Sequence, residues 1–401
     1  MSLLPVEEAL RRLLDAAVLP SGVETVELDQ ANGRVLAADL AARLTHPAFD
    51  NSAMDGYALR HDDLAAGAPL KIIGRSVAGQ RFDGTVGPGE TVRIFTGAPM
   101  PAGADTVLLQ EDAERLDEMH VRPTFLPERG RHIRPKGQDF RQGEIILSAG
   151  AVLDPGRLTL AASCNHASLP VFRRPLVAIL ATGDELVAPG SEPGADQIVA
   201  SNGAGVSAIA RENGADIIDL GIVADRKEAI AAAVTRAREA GADILVTLGG
   251  ASVGDHDLVQ PTLVSLGMQL DFWKIAMRPG KPLMVGHLGA MQVLGLPGNP
   301  VSSLVCGLLF LEPLVRRLAR LPARDRTMAV RLAAPLPANE KRQDYVRARF
   351  VDGEDPPSAL PFSRQDSSMV TVFAGSDCLI VRPPQAEPAA IGDRLPALRL
   401  R

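Results

Sequence analysis

Three apolar runs in the middle of the chain, at residues 176–180, 243–248 and 291–296, each lead into a polar loop of small residues. The loops are Ala181-Thr182-Gly183-Asp184-Glu185, Gly249-Gly250 with the residues after it, and Pro297-Gly298-Asn299-Pro300. The runs read as buried strands, and residues 216–220 read as another. Helical patterns alternate with them. One covers 202–212; the next begins at Asp225, with Glu228 three residues on in a capping-box arrangement. Ile230, Val234 and Ala237 mark its apolar face, and Gly241 ends it. Such alternation predicts an open α/β sheet over residues 173–322. Sheets of this kind bind ligands past the carboxyl ends of their strands, where the three loops fall.

At 401 residues the chain exceeds one hydrophobic core, so two to four domains are expected. Val6, Leu10, Leu13, Leu14 and Ala17 recur at helical spacing behind Pro5, and residues 19–22 stop that helix. From 27 to 139 the pattern becomes short strands between Gly and Pro, for example 70–74, 90–95 and 106–109. Residues 150–168 look helical again. Grouped with the first helix, they predict a discontinuous helical/linker domain, 1–26 plus 140–172, with a mainly β domain, 27–139, inserted in it. Beyond 322 the strands 328–332, 345–350, 369–373 and 378–381 predict a small β-barrel-like domain over 323–401. The fold class is multidomain α/β: a central open sheet, an inserted mainly β domain and a carboxyl-terminal β domain.

The net charge of -6, without a basic block, argues against nucleic acid as a partner but permits a local anion pocket. Cys164, Cys306 and Cys378 are far apart, which predicts neither a zinc site nor a disulfide framework. The amino end lacks a signal-peptide pattern, and the longest apolar run, 305–311, is too short for a bilayer. A cytoplasmic protein without membrane contact is expected.

Glycines let backbone N–H groups approach an anion, and carboxylates hold a hard cation. The Gly249–Asp257 loop offers Gly249, Gly250, Ser252 and Gly254 to a phosphate, although it is not a P-loop. Asp255 and Asp257 in the same loop can present oxygens to Mg²⁺; alternatively, Asp257 caps the following helix. Thr182, Gly183 and Glu185 approach the same crevice from the first sheet strand. Asp225 is a further ligand or a helix cap. Ser201-Asn202 either offers hydroxyl, amide and N–H groups to an anion or caps its helix. Pro297-Gly298-Asn299 can cap the next helix or hold a phosphate or a polar ring edge. Lys274, Arg278 and Lys281, in a Pro/Gly-rich connection, can offset phosphate or oxyanion charge, or form a solvated loop. In the β domain the loops 49–57 and 93–101 mix acid, amide, hydroxyl and arginine, and could supply a second wall. A hydrolytic Ser-His-Asp set is not supported, because neither Ser52 nor Ser252 lies in G-x-S-x-G.

Several of these segments, in order along the chain, closely resemble the MoeA-like molybdopterin molybdenumtransferase family, related to the carboxyl-terminal region of gephyrin. They are residues 50–57, Thr96-Gly97-Ala98-Pro99, Thr182-Gly183-Asp184-Glu185-Leu186, the 249–257 loop, 274–282 and 295–302. The resemblance implies four domains, a molybdopterin-binding-like central sheet and an elongated homodimer. Its site would lie between one subunit's α/β domain and parts of the other subunit. It implies that adenylylated molybdopterin and molybdate become molybdenum cofactor and AMP, with Mg²⁺ as cofactor.

By position, the resemblance assigns catalytic roles to Asp55, Glu185, Asp257, Lys274 and Arg278. By the same resemblance Thr96 faces the site, and Glu185, Asp225 and Asp257 are the metal candidates. The loop readings above give Thr182, Gly183, Ser201, Asn202, Gly249, Gly250, Ser252, Gly254, Pro297, Gly298 and Asn299 as the further substrate-binding candidates. Arg278 stands where lysine is frequent, and Ala200 where an acid is common. An upstream molybdopterin adenylyltransferase and a downstream molybdoenzyme or cofactor-maturation protein are the implied partners. The alternatives are that the chain itself is the adenylyltransferase or, in a different class, a non-enzymatic scaffold.

Overall fold

The computed structural model describes residues 3–64, 67–250, 258–351 and 353–401. It divides into two compact units, one of residues 1–24 with 172–401 and one of 25–171. The first unit is built on a six-stranded sheet. Its spatial order is Asp216–Val223, Leu176–Thr182, Ile244–Leu248, Met291–Leu296, Met284–Leu288 and Gln269–Trp273. The first four strands are parallel. The last two join antiparallel, a feature the sequence reading did not contain.

Alternate side chains of each central strand enter opposite layers, as a period of two requires. Val177, Ile179, Ile244 and Val246 join Val206 and Ala210 of helix Asn202–Glu212 in one core. Ala178, Leu180 and Leu245 join Ile230, Ala233, Val234 and Ala237 of helix Lys227–Glu239 in the other. With both faces covered, the strands are apolar almost throughout. The amino-terminal helix Val6–Asp15 buries Val6, Ala9 and Leu13 in the first of these cores.

Two local expectations are corrected. The helix expected from Asp225 begins at Lys227 with Arg226 at its N-cap and no side-chain cap, so Asp225 lies outside it. Residues 369–373, read as a strand, belong to a short helix, Val370–Ala374. A five-residue apolar run carries too little periodicity to decide. The turn before it does: the Asp366 carboxylate accepts from the Ser368 N–H at 2.8 Å and from its hydroxyl at 2.6 Å.

The carboxyl-terminal strands close into a five-stranded barrel. Gln343–Phe350 pairs with both Ser358–Pro361 and Cys378–Arg382, while Thr327–Leu332 and Arg394–Arg399 complete the ring. The other unit, 25–171, holds a six-stranded sheet ordered Thr106–Leu109, Gly56–Leu59, Glu90–Ile94, Leu70–Ser76, His120–Pro123 and Ala113–Arg115. Its helix Pro155–Ser163 starts on Asp154, whose carboxylate accepts from the Arg157 N–H at 2.9 Å.

Candidate active site

Within this sheet the Leu176–Thr182 strand has the strand that follows it in the chain, Asp216–Val223, on one side and Ile244–Leu248 on the other. Connections therefore leave in opposite directions at this point, and a crevice opens between the strand ends. A cleft of about 650 Å³ lies there. Thr182, Glu185, Ser201, Asn202, Gly249, Pro297, Gly298 and Asn299 line it together. Gly183 and Gly250 adjoin lining residues in sequence but are not part of the wall. Ser252, Gly254 and Asp257 lie outside the described residues.

The strand ends dictate glycine at the base of the cleft. Gly249 has φ 90°, and a Cβ there would stand 2.9 Å from the Thr182 carbonyl oxygen. Any larger residue would push the two strand ends apart. At Gly183 a Cβ would meet the Glu185 carboxylate at 2.5 Å, so that carboxylate lies back over bare backbone.

Acids collect beside this turn. The Asp225 N–H donates to Asp184 Oδ1 at 3.1 Å. Burial first, then the charges of Asp184 and Glu185, push the Asp225 carboxyl above the ordinary aspartate range. Among the described residues no three acids, histidines or cysteines stand close enough to enclose a metal by themselves. The donor chemistry nevertheless suits a hard cation: the Asp184 and Glu185 charges raise the proton affinity of Asp225, and the buried Thr182 hydroxyl has no hydrogen-bond partner among the described residues.

The opposite wall is held by amides. Asn202 Nδ2 donates to the Gly298 carbonyl at 2.7 Å. Asn299 occupies the N-cap position of helix Pro300–Cys306, yet its side chain makes no cap bond. Instead its Nδ2 donates to Ser367 Oγ at 2.9 Å, and the Val301 N–H donates to the Ser367 carbonyl at 3.0 Å. Ser201 is likewise an N-cap residue without a side-chain cap bond, which leaves the start of helix Asn202–Glu212 uncapped by side chains. Ser368, from the loop after the barrel strand Ser358–Pro361, also lines the cleft. Sequence reading missed Ser367 and Ser368; the Asp-Ser-Ser turn was their only local signal.

The cationic stretch stands outside the lining. Lys274 is exposed, with φ 85°. Arg278 lies on a short strand parallel to Gln343–Phe350 and is ion-paired with Asp344. In the 25–171 unit, Asp55 Oδ1 accepts from the Thr96 N–H and hydroxyl, each at 2.8 Å. These bonds, with the nearby Arg93 charge, hold the Asp55 carboxyl below its ordinary value.

Three stretches match described families. Residues 4–165 match the MoeA N-terminal region (domain I and II), 178–317 the probable molybdopterin binding domain, and 329–400 the MoeA C-terminal region (domain IV). The chain is 33% identical over 382 residues to a molybdopterin molybdenumtransferase of Haemophilus influenzae, covering 94% of each chain. It is 38% identical over 342 residues to one from Nostoc, covering 82% of this chain and 78% of the relative. A molybdopterin biosynthesis MoeA protein from Pyrococcus horikosii shares the fold over 100% of both chains, with a TM-score of 0.84 and 29% identity.

Proposed function

The chain belongs to the molybdopterin molybdenumtransferase family and is a transferase of molybdenum cofactor biosynthesis; from that premise we propose that its cleft binds adenylylated molybdopterin and that the reaction inserts molybdate and releases AMP. The observation that carries this reading is the convergence of Thr182, Glu185, Asn202, Gly249 and Gly298 on one cleft at the sheet's switch point. Backbone N–H groups at the start of the Asn202–Glu212 helix are suited to the pyrophosphate, whereas the Gly249 N–H is already donated to the Leu296 carbonyl at 3.2 Å. The Thr182 hydroxyl, without a partner among the described residues, supplies one more donor.

Mg²⁺ fits the acidic side of this cleft. Glu185 and Asp225, with Asp257, would hold it, and it would neutralise pyrophosphate charge as AMP departs. Lys274 is assigned to attracting molybdate. Arg278 can share that role through the guanidinium donors that its ion pair with Asp344 leaves over, in competition with that carboxylate for its charge. Asp55, kept ionised by Thr96, is assigned to positioning the reacting group. A homodimer, fed by an adenylyltransferase and delivering to a molybdoenzyme or maturation protein, completes the proposal.

The test follows AMP release from adenylylated molybdopterin with and without molybdate. Wild-type protein releases AMP only with molybdate, and Glu185→Gln or Asp257→Ala lowers the rate about a hundredfold. Full molybdate-dependent release by either variant would overturn the metal assignment; release without molybdate would overturn the insertion reaction.

A further inference from the structure

Between residues 316 and 326 the chain carries five arginines against one acid, Asp325, although its net charge is -6. The segment spans the end of the helical run that starts at Pro300 in the cleft wall and continues to Leu318. At 1.5 Å per residue, its far end lies about 27 Å from the cleft. A second cavity, of about 500 Å³, opens there. Its lining includes the apolar Leu10, Leu14 and Leu19, four of the arginines, Arg326 excepted, and one acid, Glu312.

The acids nearby are already engaged. Glu312 is buried and holds Arg326 through two hydrogen bonds, 2.9 and 2.7 Å. Asp325 accepts from the Thr327 N–H at 2.8 Å. The cavity's own arginines find only neutral partners. Arg316 donates to the Pro322 carbonyl at 2.8 Å and to Asn213 Oδ1 at 3.1 Å. Arg320 donates to the Pro20 carbonyl at 3.1 Å and lies 4.1 Å over the Phe172 ring. Arg317 and Arg324 form no ion pair among the described residues. Burial, together with repulsion from Arg324 and Arg326, lowers the proton affinity of Arg316 despite the attraction of Glu312.

Basic residues commonly complement the last turn of a helix, and that accounts for Arg316 and Arg317. It does not account for Arg320 and Arg324, which lie beyond the helix, nor for the exposed Val18 and Leu19. We propose that this cavity docks an acidic, aliphatic segment of a partner protein. Its carboxylates pair with Arg317 and Arg324, and its aliphatic side chain covers Leu10, Leu14 and Leu19. The concave shape disfavours a membrane surface, and the leucine lining disfavours nucleic acid. Several cations beside an apolar strip call for a ligand with carboxylates and hydrocarbon in succession, which a peptide segment supplies. The inference does not depend on the chemistry assigned to the cleft.

The probe is a dye-labelled peptide of alternating Glu and Leu, followed by fluorescence anisotropy against the full chain. Comparison peptides replace Glu by Gln, or Leu by Ser. Arg317 and Arg324 are exposed, so R317E/R324E keeps the fold, which an unchanged thermal midpoint verifies. The Glu/Leu peptide is expected to bind wild-type protein. Both comparison peptides, and the double variant with the Glu/Leu peptide, should bind about tenfold more weakly or worse. Absence of wild-type binding, equal binding by the double variant, or equal binding of the Glu and Gln peptides would overturn the proposal. So would complete displacement by inorganic phosphate, which identifies a small-anion site. A changed assembly mass on charge reversal would assign the cavity to a contact between copies of the chain and overturn it equally.

Discussion

The side-chain amide of Asn202 donates to the Gly298 carbonyl at 2.7 Å, tying the first turn of one helix to the loop that precedes another. Both residues line the cleft, so this bond fixes the cleft's width on one side. Asn202→Ala removes the donor and leaves the carbonyl to water, at a stability cost of about 1 kcal/mol. Steady-state AMP release should show KM for adenylylated molybdopterin raised about tenfold, with kcat changed far less. A fall in kcat alone would place Asn202 at the reacting atoms instead of at the wall.

Asp225 predicts an unusual pH dependence. Its carboxyl is raised above the ordinary value of 3.8 by burial and by Asp184 and Glu185. The folded chain therefore binds this proton more tightly than the unfolded chain does. Its contribution to stability is most favourable below 3.8 and is lost as pH rises through the folded value. At neutral pH, without divalent cations, Asp225→Asn should raise the thermal midpoint by about 2 °C. That gain should shrink as the medium is acidified. Mg²⁺ should stabilise wild-type protein more than the variant in the same scanning measurement, since only the wild type keeps the Asp225 carboxylate to relieve.

Arg278 and Asp344 make a different test, because their environments are unequal. The Asp344 side chain is 6% exposed and that of Arg278 54%. Removing the arginine strands a nearly buried carboxylate, so Arg278→Ala should cost about 2 kcal/mol in denaturant unfolding. Arg278→Lys should recover most of that loss. Asp344→Asn instead frees the guanidinium; if Arg278 attracts molybdate, KM for molybdate should fall about threefold. An unchanged KM would leave the pair a structural tie.

The α/β region was legible because its signals are local. Apolar runs ending in glycine loops located the strands at Leu176–Thr182, Ile244–Leu248 and Met291–Leu296, and the pattern over 202–212 located the helix Asn202–Glu212. The same loops supplied most of the cleft: Thr182, Glu185, Gly249 and Pro297 to Asn299 line it together. What sequence could not supply were relations between distant residues. Nothing near Arg278 announces Asp344, and nothing near Asn299 announces Ser367, 68 positions on. Asp225 was legible as an acid near a helix start, but capping and ligation share one sequence signature. Only the path of the backbone separates them, by placing Arg226 at the N-cap.

Ser367 carries the last prediction, because it couples the barrel's loop to the cleft. Its hydroxyl accepts from Asn299 at 2.9 Å, while its carbonyl accepts from the Val301 N–H at 3.0 Å. Ser367→Ala deletes the first bond and preserves the second, so the helix start stays in place and only the Asn299 side chain is released. Unfolding free energy should drop by no more than about 1 kcal/mol. Binding of adenylylated molybdopterin should weaken about fivefold, because Asn299 must then be ordered by the ligand. Ser367→Thr keeps the acceptor and should restore affinity. If Ser367→Ala binds as wild type does, the Asn299 side chain is not part of the recognition surface. If Ser367→Thr fails to rescue, packing around the loop, and not the hydrogen bond, sets the cleft wall.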